Sequence, residues 1–289
     1  MERIILPVKR DIIFKIFFAD ERNIEFLTDL LKSTLSIPAD EYEEVVIVDP
    51  HLIREHPTDK MGIMDVKLKL RSGKIIHIDI QCKPYPHMRE RIAYYDAKMI
   101  AEQLGKREQY HNIKQVISIV ITEKEFIPDS VNYHHRFTMY DRENDVELTD
   151  IVEVHTLELC KIPAEADDER LCYWMQFIKA EGEVELEAVA KKDPLIQKAV
   201  VRLMELSADE KNRLLYEARE KERMDMEDLK NWERQQGKLE GKLEGKYEGK
   251  HEEKLNVAKN MMCDGEPFEK IKRYTGLTGE EIESLQNAD

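Results

Sequence analysis

Between Val66 and Gln81 apolar and polar residues alternate with period two. Val66, Leu68 and Leu70 are apolar in a first run and Ile76, Ile78 and Ile80 in a second, with Ser72-Gly73 between them. This pattern predicts two strands joined by a turn. The opposite face then carries Asp65, Lys67 and Lys69 from one arm and His77, Asp79 and Gln81 from the other. Keeping the aliphatic side chains on one face of an antiparallel pair predicts Val66–Ile80, Leu68–Ile78 and Leu70–Ile76 as partners, with an odd loop such as Ser72-Gly73-Lys74. Asp65 would face Gln81, and Asp79, one same-face step away, would face Lys67.

Helical spacing predicts a short apolar helix over 11–18 and a second over 24–33, with Phe26, Leu27, Leu30 and Leu31 on its buried side. Asp11 and Lys15 share a face of the first, and read locally Asp11 is an N-cap with Lys15 as its ion-pair partner. A strand is predicted over 42–49. Pro84 and Pro86 end the extended segment, and a helix over 88–104 follows. Ile92, Tyr95, Met99 and Gln103 form one stripe of that helix, and Arg91, Tyr94 and Lys98 form the next. The run 116–121 (VISIVI) predicts a buried central strand, and 136–140 and 151–159 predict two more.

Past Pro163 the strand signal stops. Helices are predicted over 168–178, 184–192, 194–206 and 209–232, then a GKLE-GKLE-GKYE-GKHE repeat over 237–252. As a helix that repeat stacks like charges at i,i+4, and each glycine costs about 1 kcal/mol relative to alanine, so it reads as a frayable helical spacer. Three short helices, over 253–263, 267–274 and 279–286, are punctuated by Gly265, Pro267, Gly276 and a Thr278/Glu281 capping box. They suit a helix-turn-helix-like unit, but Glu280, Glu281 and Glu283 make the last helix acidic, which favours oligomerisation or partner binding over reading DNA. The expected organisation is an α/β domain over 1–163, a helical region over 164–236, the spacer over 237–252 and a small helical module over 253–289.

Composition narrows the function. The 289 residues are 42% hydrophobic and 36% charged, without an apolar run near the ~20 residues a membrane span needs. No signal-peptide pattern opens the chain. Cys82, Cys160, Cys172 and Cys263 are scattered without a CxxC pair, so a reducing cytoplasm is expected. A net charge of −15 argues against indiscriminate nucleic-acid binding. The charge is uneven, however. Residues 66–115 hold 11 basic against 5 acidic residues, so a polyanion would be met at the hairpin and the helix after it.

The hairpin's polar face is the chemical centre. Two carboxylates this close are costly unless a proton or a cation lies between them, and both are hard oxygen ligands suited to Mg²⁺. The plainer alternative is a half-exposed hairpin with cross-strand Asp–Lys pairs. His77 either tunes this face or is an ordinary surface strand residue. The histidines show no HxxxH-type metal spacing, and no Ser or Cys nucleophile has a supporting partner.

In order along the chain stand Asp11-x-x-Phe14-Lys15, Asp59-Lys60, Met64-Asp65-Val66, Ile78-Asp79-Ile80-Gln81, Arg91-x-x-Tyr94-Tyr95 and Gln103-Leu104. This set resembles the PD-(D/E)XK nuclease family transposases, also called the Rpn or recombination-promoting nuclease family, over roughly residues 8–163. The Gly-Lys-x-Glu repeat and the tail after it resemble that family's usual C-terminus.

The resemblance implies an α/β, restriction-endonuclease-like core, a mixed sheet flanked by helices, followed by an all-helical C-terminal region. It also implies Mg²⁺-dependent cleavage of DNA, with Mn²⁺ or Ca²⁺ as alternative ions. Asp65 falls on the first catalytic acid, Asp79 on the second, Gln81 on the position of the general lysine and Asp11 on the acid of the first helix. Asp79 stands where Glu is commoner and Gln81 where Lys is, so a cation is missing. Lys67, on the same face, is the favoured replacement, with Arg91 and Lys98 as alternatives.

With Asp65 and Asp79 as metal ligands, the Ile80 carbonyl is a further one. Lys69, Lys74, Arg89, Arg91 and Lys98 are expected to meet DNA phosphates, which positions DNA without reading its sequence. A homo-oligomer through the helical half is a further expected partner. The competing reading is a catalytically degenerate nuclease fold that serves as a DNA-binding or protein-interaction module.

Overall fold

The computed structural model describes residues 5–48, 65–82, 86–105, 109–163 and 169–286. Asp59, Lys60 and Met64 of the motif set lie outside them. The chain forms two compact units, Met1–Arg219 and Glu220–Asp289.

The first unit is built on a six-stranded mixed sheet, in the order β1 (Val46–Val48), β2 (Val66–Lys69), β3 (Ile75–Gln81), β4 (Val116–Thr122), β6 (Val146–Glu158), β5 (His134–Asp141). β1, β2 and β3 pair antiparallel, β3, β4 and β6 run parallel, and β5 closes the far edge antiparallel to β6. β4 is buried along its whole length, as its β-branched run predicts for a central strand. Two expected strands differ in extent. Residues 39–43 form a 3₁₀ turn, leaving β1 only three residues, and β6 begins five residues earlier than expected.

One sheet face is aliphatic. Ile76, Ile78 and Ile80 of β3 lie level with Ile117, Ile119 and Ile121 of β4. They share one core with Phe14, Phe17 and Phe18 of α1 (Asp11–Phe18), Leu27, Leu30 and Leu31 of α2 (Ile24–Thr34), Trp174 and Phe177 of α4 (Arg170–Lys179), Leu186 of α5 (Glu183–Ala190), and Leu203 of α6 (Pro194–Ala208). Residues on both sides of Pro163 therefore pack into a single core, in which apolar burial is the main stabilising term. The other face is polar in its middle and is partly covered by α3 (Met88–Ala101), whose Tyr95 and Met99 pack on Ile75 and Val116.

The hairpin register differs from expectation by two residues. Val66 pairs with Ile78 and Leu68 with Ile76, and the loop is Arg71-Ser72-Gly73. Gly73 adopts φ +86° and its N–H donates to the Leu70 carbonyl at 2.8 Å. A three-residue hairpin loop ends in a left-handed residue, which glycine occupies without strain, whereas the expected loop would have put Lys74 there. A slip of two leaves every side chain on its predicted face.

Helix α7 (Glu210–Cys263) is one 54-residue helix, where two helices and a spacer between them were expected. The repeat contains neither proline nor β-branched residues, and its Lys, Leu and Glu are good helix formers, so helix propagates through the glycines. In the second unit Ala258 of α7, Ile271 of α8 (Phe268–Thr275) and Ile282 of α9 (Gly279–Gln286) form a small core with Leu277. The expected capping box is present, with the Thr278 N–H donating to Glu281 Oε2 at 2.6 Å and the Glu281 N–H to Thr278 Oγ1 at 3.3 Å. Pro267 precedes α8 instead of opening it. Among the described residues no helix is long and apolar enough to cross a membrane.

Candidate active site

The slipped register changes what meets at the open end of the hairpin. Continued one residue past Val66–Ile78, it puts Asp65 level with Asp79, where Gln81 was expected, and Lys67 opposite His77 instead of Asp79. The two acids are closer than anticipated. Asp65 Oδ2 accepts the Ile80 N–H at 2.7 Å, and Asp79 Oδ2 accepts the Gln81 side-chain amide at 2.9 Å. Each carboxyl is thus held at one oxygen, which orients the other.

Burial raises the pKa of both groups. Burial, then the charge of Asp79, pushes Asp65 up to about 8, the Ile80 N–H acts the other way, and Asp11 adds to the rise. Asp79 is also raised by burial, against the pull of Arg91, His77 and the Gln81 amide. Two half-buried carboxyls that resist ionising together form a site that a proton or a cation completes.

The backbone adds an oxygen. Successive strand residues turn their N–H and C=O groups to alternate sides. The Gln81 carbonyl accepts the Glu123 N–H at 3.1 Å beside β4, whereas the Ile80 N–H is taken by Asp65 on the other side. The Ile80 carbonyl therefore looks toward Asp65.

Among the described residues no group of three or more His, Cys, Asp and Glu side chains could hold a metal ion. The donor set is two carboxyls and a carbonyl. It fits a hard cation that keeps several waters and takes ligands from a phosphate, as Mg²⁺ does.

The expected cations do not gather at one place. The Arg91 guanidinium stands 3.8 Å from Asp79 Oδ2 and 5.3 Å from the Tyr95 ring centre, at the site itself. The Lys67 ammonium lies 4.0 Å from Glu102 Oε2, drawn toward the end of α3. Lys69 is exposed and Lys74 half-buried near the turn, four residues from Asp65 and five from Asp79, hence roughly 13 and 17 Å along their strands. Arg89 is exposed with its guanidinium 5.7 Å from the Phe126 ring centre, and Lys98 is half-buried. Asp11 is the first residue of α1, following an N-cap at Arg10, and its partner is Arg219, at 3.0 Å, instead of Lys15.

His77 is neither exposed nor alone. Only 2% accessible, its Nε2 stands 3.1 Å from Asp96 Oδ1 of α3, and the buried Ser118 hydroxyl of β4 contacts both. Two faint signals pointed to this cluster. Ser118 interrupts an otherwise aliphatic strand, and Asp96 sits three residues before Met99 on the buried side of α3. Farther along the same face Glu158, fully buried, accepts the Phe126 N–H at 2.7 Å and pairs with Lys161 at 3.0 Å. It anchors the loop whose Phe126 carries Arg89.

A mixed sheet with helices on its faces, bearing paired acids at the open end of a central hairpin, defines a nuclease-type α/β core. The chain belongs to the PD-(D/E)XK nuclease family transposases, whose family model matches residues 8–232. That membership supports a nuclease-like function and implies DNA as the substrate. No curated protein and no solved structure matches the chain.

Proposed function

We propose that this protein is a Mg²⁺-dependent DNA endonuclease of low sequence specificity. The observation that carries the reading is the Asp65–Asp79 pair, level on one sheet face, half-buried, and held toward the Ile80 backbone. Held by Asp65, Asp79 and the Ile80 carbonyl, Mg²⁺ (or Mn²⁺) supplies charge neutralisation for the phosphate and a more acidic water. Gln81 fixes Asp79 through its amide and brings no charge. Arg91 takes the part assigned from the sequence to Lys67. Its guanidinium is at the carboxyl pair and suits bidentate recognition of phosphate oxygens.

Lys69, Lys74, Arg89 and Lys98 hold the DNA backbone on either side. Contacts of this kind to phosphates carry no base readout, which supports low specificity. Exposed Leu239, Leu243 and Tyr247 along α7 support self-association through the helical half. The four free cysteines suit a cytoplasmic protein, and a role in recombination or with mobile elements is part of the same proposal.

The test is relaxation of a supercoiled plasmid with Mg²⁺, Mn²⁺ or Ca²⁺, comparing wild type with Asp65→Ala and Asp79→Ala. Mg²⁺-dependent nicking, reduced on the order of a hundredfold or more in either variant, is expected. Equal nicking by a pure variant rejects the assignment. One observation favours the other reading, a non-catalytic DNA-binding module: Gln81 and Arg91 already serve Asp79 as donor and cation. DNA binding without nicking under every ion would select it.

A further inference from the structure

Tyr94 lies on the solvent side of α3 with 45% of its surface exposed. Direct contacts connect it to the acidic pair. The Arg91 guanidinium stands 3.8 Å from Asp79 Oδ2 and 5.3 Å from the Tyr95 ring centre, and the Tyr95 and Tyr94 ring centres are 5.6 Å apart. The two rings are tilted at 57°, so Tyr95 does not occupy a face of Tyr94 by parallel stacking. Tyr95 packs on Ile75 and Val116, whereas Tyr94 belongs to neither core cluster of the first unit. Packing does not account for it.

Its surroundings on the helix are specific. One turn before Tyr94 stand Glu90 and Arg91, and one turn after it Ala97 and Lys98. Glu90 is turned toward His87, 3.8 Å away, and the Ala97 side chain is too short to cover the ring. The ring thus lies between two basic residues. Exposed aromatic rings beside basic groups bind nucleic acid in two parts, the charge meeting a phosphate and the ring stacking on a base. Arg91 and Tyr94 are i,i+3 neighbours, with Cβ atoms about 5–6 Å apart, so both parts of one nucleotide are within reach. In a duplex the faces of each base are already stacked on its neighbours, and a base must leave the stack to offer one.

We propose that Tyr94 is a stacking platform for an unpaired base beside the phosphate that Arg91 meets, and that the preferred substrate is single-stranded or locally opened DNA. The inference rests on the nuclease reading given above and adds a strand preference that the paired acids alone do not give. Every base has a face to stack, so Tyr94 selects the state of the strand and leaves its sequence unread.

The test is binding of labelled oligonucleotides of equal length, single-stranded and duplex, to the full-length protein. Fluorescence anisotropy is followed at one salt concentration, in chelator, so that neither cleavage nor a metal ion takes part. Wild type is expected to bind the single strand more tightly than the duplex. Tyr94→Ala should weaken single-strand binding on the order of tenfold, the range of one lost base stack, and duplex binding by less than about twofold. Tyr94→Phe, which keeps the ring and loses the hydroxyl, should stay within about twofold of wild type on both.

An equal loss on both DNAs in Tyr94→Ala, or no loss on either, overturns the proposal. So does a Tyr94→Phe as weak as Tyr94→Ala, or a wild type that binds duplex as tightly as single strand. Each of these leaves the Asp65–Asp79 site standing, because plasmid nicking tests it separately. If wild type binds neither DNA, the substrate reading fails and this inference falls with it.

Discussion

β3 carries two acidic arrangements within a few residues of each other, and they differ in what faces the acid. At His77 the chain buries Asp96 against an imidazole and a hydroxyl, so the carboxylate has donors from the protein. At Asp79 it sets one half-buried acid beside another, and both are pushed toward the neutral form. The first arrangement ties α3 to β3 and β4 through Asp96 Oδ1, while Asp96 Oδ2 and His77 Nδ1 are buried without a hydrogen-bond partner. The second is complete only with a proton or a cation added.

Substitution separates the two most sharply. Asp65→Asn should lower plasmid nicking on the order of a hundredfold or more, yet hold or raise the thermal midpoint, because it removes a like-charge repulsion. Asp96→Ala should do the reverse in kind. It leaves the His77 ring and the Ser118 hydroxyl without their acceptor in a dry place, at a cost of about 2–4 kcal/mol. Chemical denaturation of both variants checks this, and a stability loss in Asp65→Asn larger than that in Asp96→Ala would erase the distinction.

The sequence showed the acidic arrangement and concealed the other for a physical reason. Alternation along β2 and β3 assigns each residue a face, and Asp65, Asp79 and Gln81 were readable from period two alone. Register is a finer quantity, set at Gly73, where the left-handed position determines which residues form the loop. Missing that detail moved Lys67 next to Asp79 on paper, while the protein sets it opposite His77 and within 4.0 Å of Glu102. The Asp96–His77–Ser118 cluster needs three elements brought together, and no window of sequence contains that. Continuity of α7 through four glycines was likewise hidden, since local propensity there is unfavourable and regular backbone bonding across flanking turns prevails.

The corrected register also reassigns the cation, with a smaller expected effect. Arg91→Ala should reduce nicking about tenfold, the equivalent of ~1.4 kcal/mol of transition-state stabilisation, whereas Lys67→Ala should stay within about twofold. Cleavage rates at saturating Mg²⁺ decide between them. A larger loss at Lys67 would return the role to the hairpin lysine and require its ammonium to leave Glu102.

The smallest effect is a pH slope in stability, and its sign distinguishes the two kinds of carboxylate. The folded-state value of Asp65, about 8, is above the 3.8 of an unperturbed aspartate, so the folded protein binds more protons than the unfolded chain between those limits. Stability from this group is full below pH 4 and is lost as pH rises toward 8. His134 runs the other way. Burial, then the neighbouring His155, lowers it to about 4 from 6.5, so it adds stability as pH rises from 4 to 6.5 and nothing further above that. Glu153, lowered to about 2 chiefly by its bond to His155, matters only in acid. The window from pH 6.5 to 8 therefore belongs to the acidic pair. In chelator the thermal midpoint should fall by roughly 2–3 °C across it. Saturating Mg²⁺ should flatten that slope, because the ionised pair is the form a cation binds, and Asp65→Asn should flatten it without any metal. A slope of equal size in Asp65→Asn would assign the titration to another group and remove the pH argument for a cation between these acids.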